Sequence, residues 1–100
     1  MTIEEIIRNR HSASHRVLKA HAWRVEKPDS DPFVGIEYEL WHYSTRMLHW
    51  RESQRNGVEL LSLSLGHGSV SDQNGVNIAF RVLGLPLYYQ RAGGAGIIEV

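Results

Sequence analysis

The chain has 100 residues, of which 42% are hydrophobic and 22% are charged, as expected for one domain (residues 1–100) with a modest core. Its 11 Lys and Arg residues balance 11 Asp and Glu residues, so no net charge draws it to nucleic acid or to an anionic membrane. It contains no cysteine, which excludes disulfides, thiolate catalysis and cysteine-based zinc sites. No apolar run approaches the roughly 20 residues of a membrane span, and the charged N-terminus lacks a signal-peptide core, so we expect a cytoplasmic protein.

The first segment predicts a helix over residues 2–21. Thr2 and Glu5 have the spacing of a capping box, and apolar residues then recur at helical intervals, although the middle of the stripe is polar. This segment is also basic, which makes nucleic-acid binding by the helix an alternative function. The residues that would contact the phosphates are Arg8, Arg10, Arg16 and Lys19.

The central part of the chain predicts antiparallel strands. Residues 33–50 are rich in aromatic and β-branched side chains, which favour strands. Asn56-Gly57 predicts a two-residue hairpin turn, because both central positions of a type I′ turn need a positive φ. Such a turn would place Trp50 opposite Leu63. The result is a β-meander of two or three strands, depending on whether Ser44-Thr45 is a turn.

A second helix is expected near residues 71–83. Ser69 or Ser71 suits its N-cap, and Gly84 followed by Pro86 suits its end.

The last residues predict a C-terminal β-hairpin, in which residues 85–90 pair with residues 97–100 across a glycine-rich turn. The complete prediction is an α+β fold with an N-terminal helix, the antiparallel meander, the second helix and this hairpin.

The glycine-rich loop Gly66–Gly75 is the candidate binding site. Glycines let the backbone approach a ligand, and amides at a helix N-terminus attract anions. One hypothesis is therefore that the loop binds, or acts on, a small phosphate-bearing ligand, although no lysine completes a P-loop pattern. The candidate ligand- or partner-contact residues are His67, Ser69, Ser71, Asp72, Gln73 and Asn74, with Trp41 and Tyr43 if they are exposed.

The same loop offers little support for catalysis. Ser69 has a histidine and an aspartate close by, but catalytic triads draw on residues distant in sequence, and Ser71 stands where a nucleophile elbow needs glycine. His11 and His15 have the spacing of two metal ligands on one helix face, but no carboxylate in phase completes the set. We therefore expect binding rather than catalysis, with no catalytic residue, metal or cofactor.

The predicted order of elements over roughly residues 2–84 resembles double-stranded-RNA-binding domains in topology. In that family the second helix begins with lysines that grip phosphate, whereas this chain has Ser71-Asp72-Gln73-Asn74. An aspartate at that place would repel phosphate. The resemblance therefore implies a shape rather than a function.

Three segments, mainly within residues 40–86, resemble small accessory proteins encoded by bacteriophages of actinobacteria. They are Leu40-Trp41-His42-Tyr43, Gly66–Gly75 and Phe80–Pro86. The resemblance implies a viral origin, expression in the cytoplasm of a bacterial host and a role in controlling that host. With the neutral charge, it favours a host protein as the partner over nucleic acid or a membrane, and a homodimer through Ile97–Val100 is an alternative.

Overall fold

The computed structural model describes residues 1–12, 17–91, 94 and 96–100. Within these residues the elements are α1 (Ile3–Arg8), β1 (Val17–Ala20), β2 (Trp23–Glu26), β3 (Ile36–His42), β4 (Thr45–Ser53), β5 (Gly57–Leu63), α2 (Val70–Leu83), β6 (Leu87–Gln90) and β7 (Gly96–Glu99). Strands β1 to β5 form one antiparallel sheet in chain order, and β6 pairs with β7. The α+β class, α2 and the terminal hairpin are confirmed, whereas the sheet has five strands instead of two or three.

The N-terminal helix is much shorter than predicted. The capping box is present, because the Glu5 amide donates to Thr2 Oγ1 at 3.1 Å and the Thr2 amide donates to Glu5 Oε1 at 3.1 Å. The helix nevertheless ends at Arg8, and Val17–Ala20 is a strand at the edge of the sheet. The polar middle of the expected stripe explains the difference, since a helix without an apolar face gains little from packing. Residues 13–16 of the predicted helix lie outside the described residues.

Strands β3 and β4 are joined by a two-residue turn at Tyr43-Ser44, so Thr45 belongs to β4. In β4 a bulge interrupts the pairing, because Trp41 lies opposite Arg46 while Leu40 lies opposite Leu48. Met47 is the additional residue, and its side chain is fully buried.

The β4–β5 hairpin does not have the predicted register. Ser53 pairs with Gly57, which leaves a three-residue loop, and Gly57 has a φ of 67°. This is the common alternative to a two-residue turn, in which a left-handed glycine follows the loop. The longer loop places Trp50 opposite Leu60 instead of Leu63, and a further bulge between Trp50 and His49 then places His49 opposite Ser62.

One face of the five-stranded sheet forms the core with the two described helices. The largest fully buried side chains are Trp50, Tyr89, Phe80, Ile6, Ile7, Leu40, Met47, Leu48 and Val76. Helix α2 approaches this face closely at Gly75, where a Cβ atom would lie within 3 Å of the Trp23 indole. The opposite face carries ion pairs such as Arg46–Glu39 at 2.9 Å. Neither described helix has the length and apolarity to cross a membrane.

Candidate functional site

The candidate site lies where the β3–β4 turn meets the beginning of α2. A cavity of about 170 Å³ is lined there by His42, Tyr43, Ser44, Thr45, His67, Ser69 and Asp72. Four of the predicted contact residues therefore share one cavity. A fifth, Ser71, is exposed beside it, with its Oγ atom 3.4 Å from His42 Nε2.

Asp72 holds the loop before α2 in place. Its amide donates to Ser69 Oγ at 3.0 Å, and its Oδ2 atom accepts from the amides of His67 at 3.0 Å and Ser69 at 3.2 Å. Its Oδ1 atom lies 2.6 Å from His42 Nδ1. Burial raises the pKa of Asp72, but the hydrogen bonds from His42, Ser69 and His67 outweigh it, so the pKa lies below its usual value. Asp72 is therefore a buried carboxylate at neutral pH.

This carboxylate bears on the hypothesis of a phosphate-binding loop. An anion-binding loop uses backbone amides that have no partner within the protein. Here two of the loop amides, those of His67 and Ser69, already donate to Asp72. The loop thus supplies its own anion, which argues against a phosphate ligand at this place.

His42 is the residue of this site that sequence reasoning left out. It ends β3, is 7% exposed, and stacks on the Trp23 indole with ring centroids 4.1 Å apart and planes 7° apart. A carboxylate only accepts hydrogen bonds, so Nδ1 donates to Asp72. In the neutral ring this leaves Nε2 as an acceptor that faces the Ser71 hydroxyl.

Two strained turns lie next to His42. Among the described non-glycine residues only His21 and Tyr43 have a positive φ, of 55° and 52°. The Tyr43 amide donates to the Ala22 carbonyl at 2.8 Å, and Arg24 Nη1 donates to the Tyr43 carbonyl at 2.7 Å, so the turns support each other. A left-handed backbone costs an ordinary residue about 1–2 kcal/mol, and such strain is concentrated at functional sites.

Tyr43 separates the small cavity from a wider depression. Its ring is 70% exposed and lies 4.7 Å from the His42 ring. The depression has a volume of about 520 Å³ and is lined by Lys19, His21, Ala22, Trp23, Arg24 and Tyr43. Its lining contains two cationic side chains and no acidic one.

The other predicted contact residues lie elsewhere. Trp41 is on the opposite face of the sheet, where the Arg24 guanidinium stacks on its ring at 4.6 Å. The Gln73 side chain accepts a hydrogen bond from the Arg91 amide at 3.1 Å. Asn74 is exposed on α2 and lines a separate depression that also includes Tyr88.

The four basic residues proposed for nucleic acid do not share a helix face. Arg8, on α1, pairs with Glu4 at 3.2 Å. Arg10 lies beyond that helix and donates two hydrogen bonds to Glu52, at 2.6 and 2.9 Å. Lys19 is on β1, and Arg16 lies outside the described residues. In the part of the chain that the structure describes, no group of three or more acidic or histidine side chains has the arrangement of a metal site.

Comparison with protein-family models, with curated proteins and with solved structures finds no match to this chain. The resemblances to phage accessory proteins and to double-stranded-RNA-binding domains thus stay predictions. The function has to be inferred from the chemistry of the site itself.

Proposed function

We propose that the protein acts by binding a protein partner through the surface around Tyr43. The observation that carries this proposal is an aromatic ring that is 70% exposed on a backbone with a φ of 52°. Asn or Gly would relieve the strain of such a turn, but neither would present an aromatic ring. Exposed tyrosines combine a large apolar area with a polar end, and they are enriched among the residues that dominate binding energy.

Exposed residues near Tyr43 and at the start of α2 extend this surface. His67 lines the small cavity together with Tyr43, and Val70 and Ser71, in the first turn of α2, are exposed as well. On the other side of the ring, the depression is lined by Lys19 and by Arg24, whose Nε atom pairs with Glu26 at 2.6 Å. This combination suits a partner that offers an apolar pocket for the Tyr43 ring and a carboxylate for Lys19.

A protein is favoured over nucleic acid for two reasons. The chain has a net charge of zero, whereas nucleic-acid affinity depends on a surplus of Lys and Arg. In addition, Arg8 and Arg10 are occupied by ion pairs with Glu4 and Glu52. The resemblance to phage accessory proteins makes a cytoplasmic protein of a bacterial host the expected partner.

Photo-crosslinking from position 43 tests this proposal. Tyr43 is replaced by benzoylphenylalanine, and the control carries the same replacement at Tyr88, which is 42% exposed on β6. After irradiation in nuclease-treated actinobacterial extract, we expect a discrete protein adduct from position 43 and none from position 88. An excess of unmodified protein should abolish the adduct, and an excess of Tyr43→Ala should not.

Other outcomes would contradict the proposal. If an excess of Tyr43→Ala abolishes the adduct as completely as an excess of unmodified protein does, the Tyr43 ring contributes nothing to binding. Capture that disappears with nuclease would favour nucleic acid, and an adduct between two copies of this chain would favour the homodimer.

A further inference from the structure

We propose that Ser71 is a nucleophile activated by His42, and that it accepts acyl groups from small carboxylic esters. Three side chains stand in the order of a serine-hydrolase relay: Asp72 Oδ1 is 2.6 Å from His42 Nδ1, and His42 Nε2 is 3.4 Å from Ser71 Oγ. This inference goes beyond partner binding and does not depend on it. It also differs from the sequence-based expectation of no catalytic residue.

The base comes from a distant part of the chain. Near Ser69 the sequence offers only adjacent residues, which is unlike a triad. In the fold, β3 brings His42 to Ser71 across 29 positions of the chain. The nucleophile is then the second residue of α2 and not its N-cap.

The orientation of His42 is fixed from two sides. Its ring plane is held by stacking on Trp23, which is itself only 4% exposed. Its Nδ1 atom is held by Asp72, and Asp72 cannot turn away, because the amides of His67 and Ser69 bind its other oxygen. Nε2 therefore stays directed at Ser71. The distance of 3.4 Å is longer than an optimal hydrogen bond, and such contacts commonly shorten when substrate binds.

The first turn of α2 supplies groups for the oxyanion. The first amides of a helix have no acceptor within the helix, and that of Asp72 is taken by Ser69 Oγ. The intrahelical pattern thus leaves the amides of Val70 and Ser71 for the oxygen of an acyl group on Ser71. In serine proteases the amide of the nucleophile itself acts in this way, and the positive end of a 14-residue helix adds to the effect.

The cavity beside Ser71 limits the substrate. Its volume of about 170 Å³, between Tyr43 and Thr45 on one side and the loop on the other, suits a short acyl chain. Ser71 itself is exposed, so the alcohol portion of the ester would extend into solvent.

The reaction balances without a cofactor. Ser71 Oγ attacks the ester carbonyl carbon while its proton passes to His42 Nε2. The bond between the carbonyl carbon and the alcohol oxygen then breaks, and the alcohol leaves with that proton. Water then adds to the acyl carbon while one of its protons passes to His42 Nε2. The bond between the acyl carbon and Ser71 Oγ breaks, and Oγ takes that proton back. The products are a carboxylic acid, an alcohol and free Ser71.

Covalent labelling tests the nucleophile in the whole protein. With an alkyl fluorophosphonate and with p-nitrophenyl acetate, we expect one adduct by intact mass, located on Ser71 by peptide mapping. Ser71→Ala should abolish it, whereas Ser62→Ala, an exposed serine on β5, should not. His42→Gln should slow labelling by at least about 100-fold while far-UV circular dichroism shows a folded chain. An unlabelled wild-type protein, or labelling that survives in Ser71→Ala, would overturn the proposal.

A second experiment does not depend on the choice of ester. Because the chain has no cysteine, Ser71→Cys introduces a single thiol, and Asn74→Cys, exposed on the same helix, is the control. We expect iodoacetamide to alkylate Ser71→Cys at least roughly tenfold faster at neutral pH. The added change His42→Gln should remove this advantage. Equal rates at the two positions, or an advantage that persists without His42, would refute the relay, whatever the crosslinking at Tyr43 shows.

Discussion

Substituting Gly75 by alanine should destabilise the protein although alanine is the better helix former. A Cβ atom at this position would lie 2.6 Å from Trp23 Cε2, and closer still to Cζ2 and Cη2. Trp23 cannot yield easily, because it is 4% exposed and stacks on His42 at 4.1 Å. Either the indole or α2 has to move.

The size of the effect follows from two opposing contributions. Two carbon atoms in contact are about 3.5 Å apart, so Cε2 alone requires a displacement of about 0.9 Å, and the closer atoms Cζ2 and Cη2 require more. Such overpacking of a rigid core typically costs ~1–3 kcal/mol, and an enclosed indole favours the upper end. Helix propensity favours alanine over glycine by about 1 kcal/mol. We therefore expect Gly75→Ala to lower the free energy of unfolding by about 2 kcal/mol.

Urea unfolding monitored by circular dichroism measures this change, with Asn74→Ala as the control. Asn74 is exposed on the same helix, so its substitution should raise the stability by about 0.5 kcal/mol through propensity alone. The double variant Gly75→Ala, Trp23→Phe should be more stable than the sum of the single effects allows, because the smaller ring leaves room for the methyl group. A Gly75→Ala variant as stable as the wild type would refute the close approach of α2 to Trp23.

The remaining predictions concern the turn and the carboxylates. Tyr43→Gly should be about 1 kcal/mol more stable than Tyr43→Ala in urea unfolding, because both lack the ring but only alanine keeps the strain of a φ of 52°. Burial raises the pKa of Glu52 and of Asp72, but hydrogen bonds outweigh it and both lie below their usual values of 4.5 and 3.8. A carboxylate whose pKa is lower in the folded chain stabilises the fold at pH values above its unfolded pKa, here 4.5 for Glu52 and 3.8 for Asp72. This stabilisation is lost as the pH falls below those values towards the lower pKa values of the folded protein. The urea midpoint should therefore decline below pH 4.5. Glu52→Gln should lower the stability at pH 7, because it leaves the guanidinium of Arg10 without its charged partner, and should make the decline in acid shallower.

Local signals were sufficient to predict α2. Ser69 is the N-cap of α2, Gly84 ends it with a φ of 72°, and four apolar residues at helical spacing are buried on its inner face. Those residues are Val76, Ala79, Phe80 and Leu83. Capping and helical periodicity are properties of neighbouring residues, so a single sequence contains them in full.

Signals of this kind were missing where the prediction of the fold was wrong. The turn at Tyr43-Ser44 has no glycine, asparagine or aspartate, and a tertiary hydrogen bond from the Tyr43 amide to the Ala22 carbonyl supports it. The bulges that shift the sheet register depend on which side chain the core accepts, as with the buried Met47. No periodic pattern specifies such a choice.

In the candidate site, too, residues with a local sequence signal were predicted and a residue that depends on a tertiary contact was not. Ser69 and Asp72 were identified because serine suits an N-cap and because both belong to the glycine-rich loop before α2. His42 was missed, because its relation to Asp72 and Ser71 arises only when β3 packs beside α2. A relation between residues 30 positions apart has no signature in a single sequence.

Folding and the candidate chemistry depend on the same residues. Asp72 completes the capping box of α2, accepts hydrogen bonds from two loop amides and orients His42. Trp23 contacts both Gly75 and His42. Loss of stability in a variant of His42 or Asp72 therefore cannot distinguish a structural pair from a relay. Only Ser71 separates the two roles, since it is exposed and its hydroxyl contacts His42 without supporting the core. A structural pair would leave Ser71 as unreactive as any exposed serine, whereas a relay makes it the most reactive serine of the chain.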